Sequence, residues 1–199
     1  MVALQRGSSL TKRLARHGHA QELQLGLAEI NELVNVALEL VNPLLKKRVR
    51  VKTELGSLPA VEVDVPRMEQ VLVNLILNAL DAMPEGGELT LRTEMVERAA
   101  ATGIELVNGE GKRATSFVSI TVADTGIGIP EKLQSYIFDP FFTTKPVGTG
   151  SGIGLTSAYA VVRQHGGNIT VQSGPSGGAK FTIYLPVEEK ASTSAGRDA

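Results

Sequence analysis

An α+β sandwich, one layer of helices against one sheet, is the fold class this sequence predicts, and three observations predict it. Apolar residues recur at helical spacing in separate stretches, other stretches alternate apolar with polar residues, and the last two strands are joined through a glycine-rich turn. With 199 residues, 42% of them hydrophobic, the chain can bury one substantial core with a small appendage.

Taken in order, residues 4–17 read as a helix with a narrow apolar stripe, Leu10 and Leu14, among Lys12, Arg13 and Arg16, closed by Gly18. So thin a stripe cannot hold a helix by itself and calls for a partner helix. From Ile30 the pattern sharpens. Ile30, Leu33, Val34, Ala37, Leu38, Val41, Leu44 and Leu45 follow i, i+3, i+4, i+7 spacing, and Pro43 should kink or shorten that helix. Val49, Val51, Thr53 and Leu55 alternate with charged residues as a half-buried strand does. Asp64 as the cap and Pro66 in the first turn open the next helix, which runs to about Met83 before Pro84 and Gly86-Gly87 stop it. Strands follow at Glu88–Met95 and Phe117–Ala123, with a solvated loop over 97–116 between them. Leu155, Ala158, Tyr159 and Val162 mark the last helix, capped by Gly166-Gly167. Asn168–Ser173 and Lys180–Leu185 then form a hairpin through the turn at 174–178. Residues 188–199, polar and rich in Ala and Ser, read as a disordered tail.

Composition excludes several classes. A net charge of −1 carries no electrostatic footprint for nucleic acid or an anionic membrane, and 4% aromatics without tryptophan leave little on which bases could stack. Cysteine is absent, which removes disulfides and thiolate metal sites and suits a reducing cytosol. No apolar stretch approaches the roughly 20 residues that span a bilayer, and Met1–Arg16 lacks the apolar middle of a signal peptide. The expectation is a cytoplasmic chain, or the cytoplasmic part of a larger protein, with no membrane insertion of its own.

Chemistry enters on the helix that begins at Asp64. Met68, Val71, Leu72, Leu75 and Ala79 face the core, while Arg67, Gln70, Asn74, Asn78 and Asp81 fall along another stripe. A solvated face is one reading of that stripe. Asparagine, however, is about half a kcal/mol poorer than alanine in a helix, so two of them at i, i+4 amid Leu, Ile and Val are better explained by their amide oxygens. Such an oxygen ligates Mg²⁺ without adding negative charge beside a triphosphate.

Asp124-Thr-Gly-Ile-Gly-Ile-Pro130 directly follows a predicted strand. It reads either as a strand-ending turn with glycines for positive φ or as an acceptor, Asp124, at a pocket floor. In the second reading Asp124 takes a hydrogen bond from the 6-amino group of adenine. Guanine would present a carbonyl there, two acceptors facing each other, so ATP is favoured over GTP. Gly148, Gly150, Gly152 and Gly154 then open a helix with Ser151, Ile153 and Leu155 between and after them. Glycines let backbone N–H groups approach phosphate, and the spacing fits neither a P-loop nor a Rossmann turn. Between the two glycine segments, residues 131–147 read as a lid that carries Phe138, Phe141 and Phe142, three of the chain's five phenylalanines.

Four segments, Asn74–Ala82, Asp124–Pro130, Phe138–Lys145 and Gly150–Leu155, are similar in order and spacing to the N, first glycine, F and second glycine boxes of sensor histidine kinases. The resemblance covers roughly Ile30–Val187. It implies the Bergerat ATP-binding fold, a two-layer sandwich with a mixed, mostly antiparallel sheet and ATP under a lid. By position it implies Asn78 as the Mg²⁺ ligand with Asn74 beside it, and Asp124 as the reader of adenine. It also implies that Gly126, Gly128, Ile129, Phe138, Gly150, Ser151, Gly152, Ile153, Gly154 and Leu155 surround the cofactor. Many relatives place Lys three residues after the ligating Asn; here that position is Asp81, which leaves Lys145 to meet phosphate charge.

Related gyrase-type, chaperone and mismatch-repair ATPases carry glutamate, a general base for water, at the position of Asn74. An amide accepts no proton at neutral pH, so Asn74 points to a kinase rather than a hydrolase. Residues 1–28 then resemble the second helix and linker of a dimerisation and phosphoacceptor hairpin, 29–187 the catalytic domain, and 188–199 the tail. The histidine-bearing first helix is missing: His17, His19 and His165 all lack the acidic context of a phosphoacceptor. The expected partners are a phosphoacceptor helix, a response regulator and a second copy joined through the N-terminal helix. A same-fold ATPase and a non-catalytic nucleotide-binding scaffold are the alternatives.

Overall fold

Helical and alternating periodicity sort the chain into two layers. The computed structural model describes residues 23–45, 48–97, 114–145, 152–174 and 177–187. The expected helix over 4–17, most of the loop over 97–116 and the tail lie outside them.

The described chain begins with β1 (Gly26–Ala28), followed by α1 (Ile30–Val41) and a 3-10 turn at Asn42–Leu44. Pro43 therefore shortens the first helix, since it offers no N–H to the preceding turn. Next come β2 (Val49–Leu55), β3 (Val61–Val63) and α2 (Val65–Ala82). They lead to β4 (Gly87–Glu97), β5 (Ser116–Asp124) and a single turn of helix, α3 (Glu131–Gln134). The chain closes with α4 (Gly154–Gln164), β6 (Asn168–Gly174) and β7 (Gly177–Pro186). Three short elements, the antiparallel strands β1 and β3 and helix α3, escaped the sequence reading because three or four residues carry no usable period. Strand β1 pairs with a strand of the domain expected to start at residue 29.

The main sheet has the order β2-β4-β5-β7-β6 and is mixed and mostly antiparallel, as expected. Only β2 and β4 run parallel, and the connection between them carries α2, the kind of crossover a parallel pair requires. Register places Leu89 and Ala179 on either side of Asp124, and Leu91 and Phe181 on either side of Val122. Val118, Ile120, Val122 and Asp124 thus form one row of the central strand β5, three apolar side chains and then a carboxylate, all buried.

Helices α1 and α2 pack together, as do α2 and α4. Met68, Leu72, Leu75 and Ile76 of α2 are fully buried in the same core as Leu89, Ile120 and Ile183 of the sheet. Each such side chain contributes about 1.5–3 kcal/mol by leaving water. Asp64 caps α2: its Oδ1 accepts from Arg67 N at 3.2 Å and its Oδ2 from Gln24 N at 3.0 Å. The N–H of Asp64 donates to His165 Nε2 at 2.9 Å, while His165 Nδ1 donates to the Val161 carbonyl at 2.8 Å. His165 therefore ties the end of α4 to the start of α2, the structural role its helix-end position implied. Among the described residues no helix is long and apolar enough to cross a membrane.

Leu75 of α2 is fully buried in the core shared with the sheet, so Leu75→Ala should cost about 2–5 kcal/mol. Urea unfolding checks this; a loss under about 1 kcal/mol would mean that the helix–sheet core is not closed at this point.

Candidate functional site

The long α2 carries three polar residues on its outer stripe toward its C-terminal half. Where that half meets the end of β5, a cavity of about 410 Å³ opens, within the roughly 300–1,000 Å³ typical of small-molecule sites. Asn78, Asp81 and Ala82 of α2 form one wall; Asp124 and Ile127–Pro130 form the floor. Phe142–Lys145 and Gly152, Gly154 and Leu155 close the far side. Asn78 and Asp124, from different layers and 46 positions apart in sequence, thus face one space. A wider hollow of about 650 Å³ near Arg48, Arg50 and Glu88 is open to solvent. Arg48 and Arg50 approach Glu85 and Glu88 there at 4.0 and 3.6 Å, with the arginine side chains largely exposed.

Asp124 is buried, and its Oδ1 accepts two backbone hydrogen bonds, from Gly126 N at 2.8 Å and Ala179 N at 3.3 Å. No hydrogen bond among the described residues ends on Oδ2, which leaves an acceptor for the cavity. Burial raises the carboxyl pKa above its ordinary value, and the two backbone bonds only partly oppose that. Among the described residues no cation pairs with it, so the fold itself bears the cost of that charge.

The floor is fastened from outside the cavity. Ser173 Oγ accepts from Ile129 N at 2.8 Å and donates to the Gly178 carbonyl at 2.6 Å. Gln134 Nε2 donates to the carbonyls of Ile129 and Ser173 at 3.1 and 3.0 Å. Gly178 N in turn donates to Gly126 O at 2.7 Å. A Cβ on Gly126 would collide with the Ala82 carbonyl, so glycine is required where the turn crosses the end of α2. Ser173 and Gln134 went unnoticed in the sequence, where an isolated polar residue in a strand or loop carries no spacing signal.

The Phe segment is fixed to the start of α4. Phe141 N donates to Gly152 O at 3.0 Å, and Thr156 Oγ1 donates to Asp139 O at 3.1 Å. Phe141 is held at φ 67°, a left-handed conformation that costs a non-glycine residue about 1–2 kcal/mol. Gly152, at φ 63°, approaches the Phe141 backbone too closely for any side chain.

Of the residues expected around a cofactor, Asn78, Asp81, Asp124, Gly128, Ile129, Lys145, Gly152, Gly154 and Leu155 line the cavity. Asn74 is not on its wall; its amide accepts from Gln70 Nε2 at 3.0 Å and donates to the Gly154 carbonyl at 3.4 Å. Phe138 is also off the wall, with its ring 5.2 Å from that of Tyr159, and Phe142 takes the lining place. Gly126 and Ile153 are not among the wall residues. Gly150 and Ser151 fall outside the described residues. Lys145 Nζ stands 2.5 Å from Asp81 Oδ2, both side chains partly exposed.

Fold and cavity together define a class. The histidine kinase-, DNA gyrase B- and HSP90-like ATPase family model matches residues 63–189, and the chain belongs to that family. Within it the likeness is to sensor kinases. The sensor kinase CckA of Brucella abortus is 38% identical over 188 residues, 93% of this chain and 20% of that protein. The sensor histidine kinase ZraS of Escherichia coli K12 is 36% identical, over 83% of this chain and 32% of ZraS. This chain therefore spans between a fifth and a third of the length of these two relatives. Among solved structures, the catalytic domain of histidine kinase ThkA superposes with a TM-score of 0.65 at 28% identity, covering 82% of this chain and 96% of that one. Full-length ShkA, solved with AMPPNP, gives 0.68 at 27% identity, covering 86% of this chain and 33% of ShkA. ThkA has also been solved with the response regulator TrrA, and that structure matches at 25% identity and a TM-score of 0.64, over 92% of this chain and 48% of that one. The resemblance read from the four motifs and the fold it implied are both borne out.

The Asp124 charge has a measurable consequence. A carboxyl whose folded pKa is raised adds stability below its unfolded pKa, about 3.9, and loses it as pH rises through the folded value. In Asp124→Asn an amide oxygen can keep both backbone bonds without the charge. The ligand-free variant should therefore withstand more urea than the wild type at pH 7, with the gap closing toward pH 4. A variant less stable at pH 7 would contradict the burial account.

Proposed function

We propose that this chain supplies the ATP-binding catalytic domain of a two-component sensor histidine kinase. It would hold Mg²⁺-ATP and present the γ-phosphoryl group to a histidine on a dimerisation helix, with a response regulator acting downstream. The observation that carries this reading is the convergence of Asn78, Asp124 and Lys145 on one cavity. The site also suits the metal. Asn78 puts an uncharged amide oxygen on the cavity wall, and Mg²⁺ in nucleotide sites takes one or two protein oxygens and completes its shell with phosphate oxygens and water.

The free Oδ2 of Asp124 accepts from the adenine amino group, and the bonds from Gly126 and Ala179 keep it in place. Asn78 offers an uncharged oxygen at the phosphate end, and bound Mg²⁺ supplies neutralisation of the triphosphate charge. Lys145 provides a mobile cation at the same wall. With these groups in place the chain contributes positioning and charge neutralisation, the two requirements of phosphoryl transfer.

No residue described here is set to activate water. Asn74 is an amide engaged with Gln70 and Gly154, Asp81 is paired with Lys145, and Asp124 lies at the base-binding floor. ATP would persist in the site until a protein nucleophile arrives.

Incubated with γ-labelled ATP, the chain should bind nucleotide without labelling itself, and should label a separately supplied phosphoacceptor hairpin. Acid-labile label on His17 or His19 would refute the first expectation. Failure to label the hairpin would favour a non-catalytic scaffold, and steady hydrolysis abolished by Asn74→Ala would favour an ATPase. Asn78→Ala should weaken Mg²⁺-dependent ATP binding by about tenfold or more in calorimetry; unchanged affinity would remove Asn78 from the site. Asp124→Asn should lower ATP affinity more than GTP affinity, because it replaces an acceptor by a donor.

A further inference from the structure

Asp81 is a carboxylate on the wall of a cavity proposed to receive a polyanion. Left bare it would repel every phosphate that entered. It lies one helical turn beyond Asn78 on α2, and both side chains line the cavity. Residues three apart on a helix have Cβ atoms about 5–6 Å from each other, close enough for two side-chain oxygens to share one small cation. The only Lys or Arg among the described wall residues is Lys145, and its Nζ is 2.5 Å from Asp81 Oδ2. Side-chain exposures of 37% for Lys145 and 59% for Asp81 leave that pair in contact with water, where an ion pair is weak and readily exchanged.

We propose that Asp81 is a second protein ligand, beside Asn78, for the divalent cation that accompanies the nucleotide triphosphate. Lys145 covers the Asp81 carboxylate while the cavity is empty and is freed for the phosphates when the divalent cation takes its place. The carboxylate thus has a cation against it in both states. Mg²⁺ accepts this ligand set: a carboxylate and an amide oxygen are hard donors, and phosphate oxygens and water complete its six positions. The exchange rests on the nucleotide-site reading above, and it adds a metal ligand and a charge order that the resemblance does not assign.

Calorimetry of ATP binding to the full 199-residue chain, in Mg²⁺ and in EDTA, separates the two readings. The wild type should bind ATP more tightly in Mg²⁺. Asp81→Asn removes the repelling charge and releases Lys145, so ATP binding in EDTA should tighten about threefold or more while the gain from Mg²⁺ shrinks about tenfold. Lys145→Met should weaken binding in EDTA and keep the gain from Mg²⁺. Thermal unfolding midpoints within a degree or two of the wild type would show that both exposed substitutions leave the fold intact. An undiminished gain in Asp81→Asn, or a collapsed gain in Lys145→Met, overturns the proposal while leaving the nucleotide site standing. A wild type that fails to bind ATP in Mg²⁺ overturns both.

Discussion

Two backbone N–H groups, from Gly126 and Ala179, hold Asp124 Oδ1 at 2.8 and 3.3 Å, and the walls of the cavity are arranged around that carboxylate. It continues the row Val118, Ile120, Val122, so the strand that builds the centre of the core also delivers a charge to the edge of it. The N–H of Gly126 comes from the turn that follows, and that of Ala179 comes from the neighbouring strand β7. The floor therefore requires the whole β6–β7 hairpin to be in register. Ser173 and Gln134 complete the fastening at Ile129, at the far end of the same turn. A buried carboxylate whose pKa is pushed up by desolvation weakens the ligand-free fold at neutral pH. Its presence makes sense where a ligand supplies the missing donor.

Helix α2 works in two directions. Met68, Leu72, Leu75 and Ile76 anchor it in the core, which sets its height and rotation against the sheet to within the tolerance of close packing. The opposite stripe then has little freedom. Asn78 and Asp81 face the cavity because Leu75 and Ala79 face away from it. The cap at Asp64 and the His165 tie fix the other end of the helix to α4, whose first turn brings Gly154 and Leu155 to the same space. The core, the cap and the site are thus one mechanical unit.

Charge distinguishes this chain from what its motifs alone would imply. At the position where many relatives carry lysine it has Asp81, and the compensating cation comes from Lys145 on a different segment. The arrangement moves a positive charge from a helix to the end of the Phe segment. It also places an amide, Asn74, where hydrolytic members of the fold have a general base, and that amide is occupied in tying α2 to the start of α4. Both features turn the site away from water activation and toward holding a triphosphate.

Much of this was legible in the sequence because it is written in local periods. Every strand and helix longer than a turn or so, the N-cap at Asp64, the shortening at Pro43 and the left-handed cap at Gly166 follow from spacing and from proline and glycine chemistry. The ordered motifs pointed to a nucleotide-type site and to Asn78 and Asp124 as the side chains expected at its two ends. The tertiary structure decided what no local period encodes. It placed Asn78 and Asp124 across one cavity, put Phe142 rather than Phe138 on the wall, left Asn74 off it, and paired Asp81 with Lys145. It also recruited Ser173 and Gln134 as fasteners and joined β1 to β3. These are contacts between residues tens of positions apart, formed when two layers close, and they depend on side-chain direction and register that composition and spacing leave open.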